Sequence, residues 1–316
     1  MINGIIFSKD RALQLQATLD SLFLHCADVD SIHISVLYAC SSAQHTHQYL
    51  QLVENWKNRR NVTFVLQNNF RRDTLNILNP YPAKSILRKV LEVFSSLDYR
   101  FSRLLSILPI IHVQRSFILF LVDDALFVRD FEISDLIDEL DKNPDALGFS
   151  LRLGRNTTHC YTRNVEQRLP AFSTSSNGAL KFKWTEGDLD FGYPLEVSSS
   201  LYRLGEIFAL ANLVPFSNPN EMEGNIAAHA KNLTNKQPFL FCPNRSLAFC
   251  NPVNVVQTIS ANRAGEVVSH SSSQLAKLFD EGYRIKVEAY SNFIPISCHQ
   301  EVALELQQVV SRNKDG

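Results

Sequence analysis

Ser116-Phe-Ile-Leu-Phe-Leu-Val-Asp-Asp-Ala-Leu-Phe-Val-Arg-Asp-Phe131 decides how the rest of this chain is read. Phe117 to Val122 is an apolar run too short to span a membrane and too rich in β-branched and aromatic residues for a helix, so it reads as a strand buried on both faces. Asp123 and Asp124 close it. Two adjacent carboxylates at the end of a buried strand repel each other and lose solvation, a cost normally offset by a bound cation or a ring of donors. A hard divalent ion is the simplest such partner: Mg²⁺ or Mn²⁺ takes one or two carboxylates and completes its shell with water and phosphate oxygens. A strand running into an acidic surface turn is the plainer alternative.

Outward toward the N-terminus, residues 3–8 form a short strand and Ser8-Lys-Asp-Arg11 leads into a helical pattern over 12–23, with Leu15, Leu19, Leu22 and Phe23 on one face. The turn places Ser8 and Arg11 beside free amides at a helix N-terminus, a setting suited to phosphate; an ordinary helix start with surface charges would look the same. Strands over 31–38 and 62–66, with an amphipathic segment over 46–57 between them, complete a β-α-β-α-β half. Such alternation implies a parallel sheet with ligands at the carboxyl ends of its strands.

A hydrophobic strand ending in Val-Asp-Asp, preceded by Ile5-Ile-Phe-Ser-Lys-Asp-Arg11, resembles the glycosyltransferases of the GT-A fold, the nucleotide-diphospho-sugar transferases. The resemblance implies an α/β, GT-A-like fold with a mostly parallel Rossmann-like central sheet flanked by helices. It implies a nucleotide-sugar half over 1–130 ending in the metal motif, and an acceptor-side half with a C-terminal tail over 131–316, in one compact domain. Phe7, Ser8 and Arg11 are then expected at the nucleotide, and Arg71 in the polar stretch 67–73 and Lys84 in a helix over 84–108 at the phosphates. Asp123 and Asp124 are expected at Mn²⁺ or Mg²⁺. The motif here is x-Asp-Asp rather than Asp-x-Asp.

Downstream, 131–140 reads as a helix, 146–154 as a strand and 155–183 as a polar acceptor-side loop. Trp184, Asp188, Gly192 and Tyr193 lie in a stretch offering an indole, spaced carboxylates and a tight turn, a surface suited to sugars. After a strand over 197–202 and a helix over 203–213, Glu221 and Glu223 open a helix over 225–231. By the resemblance, Glu223 is the expected base that deprotonates the acceptor, with Asp190 or Glu221 as alternatives; capping is the plainer role for Glu221. A strand over 239–249, a helix over 273–281 and an extended arm over 284–290 follow. The resemblance makes His299 the expected third metal ligand.

The 316 residues carry 31 basic and 32 acidic side chains, a balance that favours neither nucleic acid nor an anionic membrane surface. No apolar run reaches the length of a membrane helix. The six cysteines form no Cys-x-x-Cys pair, which fits free thiols in a cytoplasmic protein. The expected activity is transfer of a sugar, with inversion, from a nucleotide-diphosphate donor, a UDP-sugar first, to a saccharide or other hydroxyl acceptor. Nucleotidyl or phosphoryl transfer is a rival, although no Gly-rich phosphate loop follows the first strand. Non-catalytic binding of a nucleotide sugar or carbohydrate is another.

Overall fold

Four strands lie side by side and parallel in the order β3 (Val62–Leu66), β2 (Ile32–Ala39), β1 (Ile2–Lys9), β4 (Phe117–Val122). Their in-register pairing brings Phe7 opposite both Leu37 and Val122, so the turns that follow these strands open on one edge. The computed structural model describes residues 2–79, 116–254, 263–266 and 270–309. The helix expected over 84–108, with Lys84, falls outside them.

Period-two alternation assigns these side chains to two cores. Ile5 and Phe7 of β1 and Ile118 and Phe120 of β4 face one side; Ile6, Leu119 and Leu121 face the other. Both faces are covered, which is why β4 reads as an unbroken apolar run. On the second face lies α1 (Ala12–His25), whose Leu13, Leu15, Leu19 and Leu22 are all buried. It packs with α2 (Ala43–Trp56) and with a helix near the C-terminus. The first face holds α3 (Phe70–Leu78), where sequence reading placed a polar loop. Asn69 caps it through Arg72 N at 2.9 Å, and Asp73 accepts from Asn68 N and Asn69 N at 2.7 Å each. The polar residues of that stretch begin a helix.

After β4 the chain turns through Asp123–Asp124 into β5 (Ala125–Phe127), a short strand not foreseen, then α4 (Ile133–Lys142) and β6 (Ala146–Ser150). The region expected as a loop holds β7 (His159–Cys160), β8 (Val165–Glu166), β9 (Ser173–Thr174) and β10 (Leu180–Lys183). Next come β11 (Ser199–Arg203), α5 (Leu204–Leu213) and α6 (Pro219–Ala227), a helix six residues earlier than expected. Its start is set by the Asn218 side chain accepting from Glu221 N, with Pro219 at the first turn where it has no N–H to waste.

The segment 239–249 divides into β12 (Phe239–Cys242) and β13 (Ala248–Cys250) at Pro243-Asn244. Last are α7 (Ser272–Asp280), β14 (Tyr283–Ile285) and β15 (Leu306–Gln308).

Among the described residues the main sheet runs β3-β2-β1-β4-β11-β6-β12-β10-β9. All of it points one way except β11 and β10, which run antiparallel to their neighbours. Inserting β11 between β4 and β6 brings the chain, after the loops over 151–198, to the edge where Asp123 sits. All six cysteines are unpaired, and no described helix is long and apolar enough to cross a membrane.

Candidate active site

Residues 112 apart in sequence meet at the carboxyl edge of β1 and β4. Arg11 Nη1 donates to Asp123 Oδ1 at 3.0 Å and to Asp124 Oδ2 at 3.1 Å. The other oxygen of Asp123 accepts from Ser8 Oγ at 2.9 Å and Lys9 N at 3.2 Å. Ser8 also hydrogen-bonds Tyr49 on α2. The turn between is held by Asp10 at φ 56°, a left-handed conformation that Asp tolerates better than most residues. Asp10 Oδ1 accepts from Ser41 N at 2.7 Å.

The carboxylate pair therefore has an internal cation. The cation that sequence analysis assigned to a divalent metal is thus supplied, at least in part, by the chain itself. Burial pushes the Asp123 carboxyl up, against the pull of Arg11. Burial also opposes the charge on Arg11, but the two aspartates hold its pKa above the ordinary value.

Tested as metal ligands, the two aspartates differ. Asp123 has both oxygens engaged, whereas Asp124 Oδ1 accepts no hydrogen bond from the described residues and its side chain is 13% exposed. Among the described residues no three His, Cys, Asp or Glu converge as a cage. The fit is thus to an ion that takes Asp124 and draws its remaining ligands from phosphate and water, as Mg²⁺ commonly does. His299 is engaged within the chain: its Nε2 lies 3.1 Å from Arg152 Nη1. Burial and Arg152 depress its pKa to about 3, so it stays neutral and accepts that hydrogen bond.

A second cluster lies across the β5–β13 ladder. Asn251 N donates to Asp124 O at 2.9 Å, and Cys250, one residue earlier, places its thiol 3.4 Å from Arg152 Nη1. Arg152 Nη2 donates to Glu196 Oε2 at 2.8 Å. Glu223 follows: Oε2 accepts from Val197 N at 2.9 Å and Oε1 from the Tyr193 hydroxyl at 3.2 Å. Its pKa is raised, by burial first and then by Glu196. Asp190, also raised by burial, accepts from Cys160 Sγ at 3.4 Å and Gln167 Nε2 at 3.3 Å. Leu189 and Leu195 carry φ of 51° and 66° on either side of Tyr193. Apolar side chains in that region store roughly 1–3 kcal/mol each, a load that cores impose mainly around sites.

Several expected site residues do other work. Phe7 is packed between Phe70 and Phe120, with ring centroids at 5.3 and 6.1 Å, and has no free face for a base. Arg71 donates to the carbonyls of Asn212 and Val214 at the end of α5 and lies over the Phe216 ring, the usual work of a cation at a helix C-terminus. Trp184 is buried with Nε1 donating to Gln237 O at 2.8 Å, so it offers no stacking surface. Asp188 pairs with Arg168 at the surface.

Gly192 is required by packing, since a Cβ there would stand 2.4 Å from Gly187 O. Glu221 caps α6 by accepting from the backbone and hydroxyl of Ser217 at 2.8 Å, bonds that hold its pKa down. Sequence reading missed Arg152 and Glu196. The available signal was weak: Arg152 lies two residues after β6 and Glu196 three residues before β11, strands that pair across the sheet.

No family model matches this chain. It is 25% identical over 265 residues to the bifunctional glycosyltransferase pgtA of Dictyostelium discoideum, an alignment covering 76% of this chain and 30% of that protein. The chain thus spans less than a third of the relative's length. Among solved structures, S. aureus TarS superposes with a TM-score of 0.44 at 13% identity, covering 79% of this chain and 36% of that one. A shorter TarS structure in complex with UDP-GlcNAc gives 0.42 at 13%, covering 84% and 62%. The resemblance carried by Ile5–Arg11 and by the hydrophobic strand ending in Val122-Asp-Asp is borne out in sequence: this α/β chain is similar, along three quarters of its length, to a glycosyltransferase.

Proposed function

We propose that this chain transfers a sugar from a nucleotide-diphosphate donor to a hydroxyl acceptor at the edge where β1, β4 and β13 meet. One observation carries the reading. The two stretches that support the family resemblance, far apart in sequence, close into a single buried Arg–Asp–Asp cluster at the ligand edge of a parallel sheet. The similarity to a glycosyltransferase supports it independently.

The residues divide by side. Ser8, the backbone of Lys9 and Arg11 hold Asp123 and Asp124 at the donor end, and Arg11 supplies the positive charge that attracts a phosphate there. Asp124 is the residue that would hold Mg²⁺ or Mn²⁺; the chemistry such an ion supplies when bound is neutralisation of the leaving diphosphate. On the acceptor side Glu223 is the general base, with Asp190 the alternative. A half-buried carboxylate whose pKa is raised above the ordinary value by burial takes up a hydroxyl proton more readily than an exposed one. Tyr193, hydrogen-bonded to Glu223 and 42% exposed, is placed to meet the acceptor. Attack from the Glu223 side on a donor held at Arg11 is a single displacement and inverts the anomeric centre.

The test is turnover of a panel of sugar nucleotides, UDP-sugars first, with Mn²⁺ and with EDTA. Slow release of free sugar and nucleoside diphosphate, lost in Asp124→Asn, supports the proposal. Consumption of nucleoside triphosphates instead would favour a phosphotransferase, and binding without turnover a non-catalytic role.

A further inference from the structure

Arg152 stands just beyond β6, where the chain is fixed on two sides: Leu151 N, one residue earlier, donates to Ser199 O at 2.9 Å, and Ser246 Oγ donates to Arg152 O at 2.6 Å. Its side chain is 6% exposed and reaches three partners, Glu196 at 2.8 Å, His299 at 3.1 Å and the Cys250 thiol at 3.4 Å. Glu196 in turn accepts from Ser198 N at 2.5 Å, Ser199 N at 3.2 Å and the Ser200 hydroxyl. Between those anchored positions is Val197, whose N–H is the one donated to Glu223. From guanidinium to proposed base there is one ion pair and one residue of backbone.

A buried ion pair alone is weak evidence for anything, since hydrophobic residues of similar volume often replace one without loss. This one is not a closed pair. Glu223 and Asp190 also lie in its field, so three carboxylates share one guanidinium, and among the described residues Arg152 is the cation that acts on both. A fold that needed only a staple would not gather two further acids around it.

We propose that Arg152 is a positioning residue for the transfer: by fixing Glu196 and the backbone of Val197 it sets both the place and the protonation of the Glu223 carboxylate. The proposal rests on the transferase reading of this edge. The groups facing Glu223 are Glu196 from the segment before β11, Arg152 from the end of β6, Tyr193 from the preceding turn and Tyr202 from β11. Glu196 raises the Glu223 pKa and Arg152 lowers it. Opposite signs follow for the two substitutions.

The experiment titrates carboxyl carbons by NMR in protein labelled at glutamate, with Glu223→Gln used for assignment. Arg152→Met should move the Glu223 midpoint up by about one pH unit or more, and Glu196→Gln should move it down. Arg152→Lys, which keeps the charge, should return most of the shift. The acid limb of UDP-sugar turnover against pH should move in the same directions while UDP affinity holds, a pattern that loss of packing would not produce. If Arg152→Met fails to fold, Glu196→Gln and Arg152→Lys still carry the signs. A Glu223 midpoint that stays put in all variants, or shifts the same way in Arg152→Met and Glu196→Gln, overturns the proposal. An inactive wild type would overturn the transferase reading alone, because the titration decides Arg152's hold on Glu223 without turnover.

Discussion

Replacing Arg11 by Met leaves two carboxylates at a buried sheet edge with no cation paired to them among the described residues. The pairs it breaks are 3.0 and 3.1 Å long, between side chains 11, 6 and 13% exposed. Removing one partner from a buried pair costs about 3–5 kcal/mol, because the other charge is left uncompensated. Asp123 keeps its bonds from Ser8 and Lys9 N and Asp124 is partly solvated, so the loss should fall near ~3 kcal/mol. Against a total stability of about 5–15 kcal/mol the variant still folds.

The deficit should depend on pH. Asp123 already has a raised pKa in the folded protein, and without Arg11 that value climbs further. A carboxyl with a raised folded pKa costs stability above that pKa and ceases to do so as pH falls through it toward the unfolded value. Urea denaturation of wild type and Arg11→Met at pH 8 and pH 5 should therefore show a gap that narrows on acidification. Arg11→Met combined with Asp123→Asn should recover much of the loss at pH 8. Equal midpoints at pH 8, or a gap that widens at pH 5, would refute the claim that Arg11 neutralises this pair.

Glu223→Gln should keep UDP affinity and lower turnover by roughly 10²–10⁴-fold, measured with the true acceptor or by donor hydrolysis; wild-type turnover would move the role to Asp190. Asp20 has its pKa raised to about 6, chiefly by burial. Asp20→Asn keeps the acceptor for Gln16 and should stabilise the protein by on the order of 1–2 kcal/mol at pH 8, a gain that disappears as pH falls below 6; denaturation at the two pH values decides it. A Cβ on Gly148 would stand 2.4 Å from the Tyr202 ring and 2.9 Å from Leu201 O, so Gly148→Ala should cost about 1–3 kcal/mol in a thermal melt.

The apolar runs made the frame legible. β1 and β4 read as buried strands because both faces are covered, and Asp123 and Ser8 fell on one edge because parallel strands align their carboxyl ends. What the runs could not convey was which polar groups the chain itself would consume. Arg71 and Trp184 have the chemistry of ligand contacts, yet one closes a helix end and the other hydrogen-bonds a carbonyl in the core. The internal cation at Asp123–Asp124 was hidden for the same reason: pairing across 112 residues leaves no local trace. Arg152 and Glu196, 44 apart, escaped notice likewise. The break of 239–249 at Pro243-Asn244 was visible in sequence as an interruption, but only the pairing of Ala248–Cys250 with β5 shows that a new strand begins there.

The proposed transfer requires that the Arg11–Asp123–Asp124 edge hold a nucleotide-diphosphate sugar. Calorimetric titration of wild type, Arg11→Gln and Asp124→Asn with a UDP-sugar in the presence of Mn²⁺, alongside assay of sugar release, is the measurement. The wild type should bind and slowly release sugar, with at least roughly tenfold weaker binding in both variants. Affinity that is unchanged by either substitution, or a wild type that turns over no sugar nucleotide in the panel, would contradict the proposed transfer.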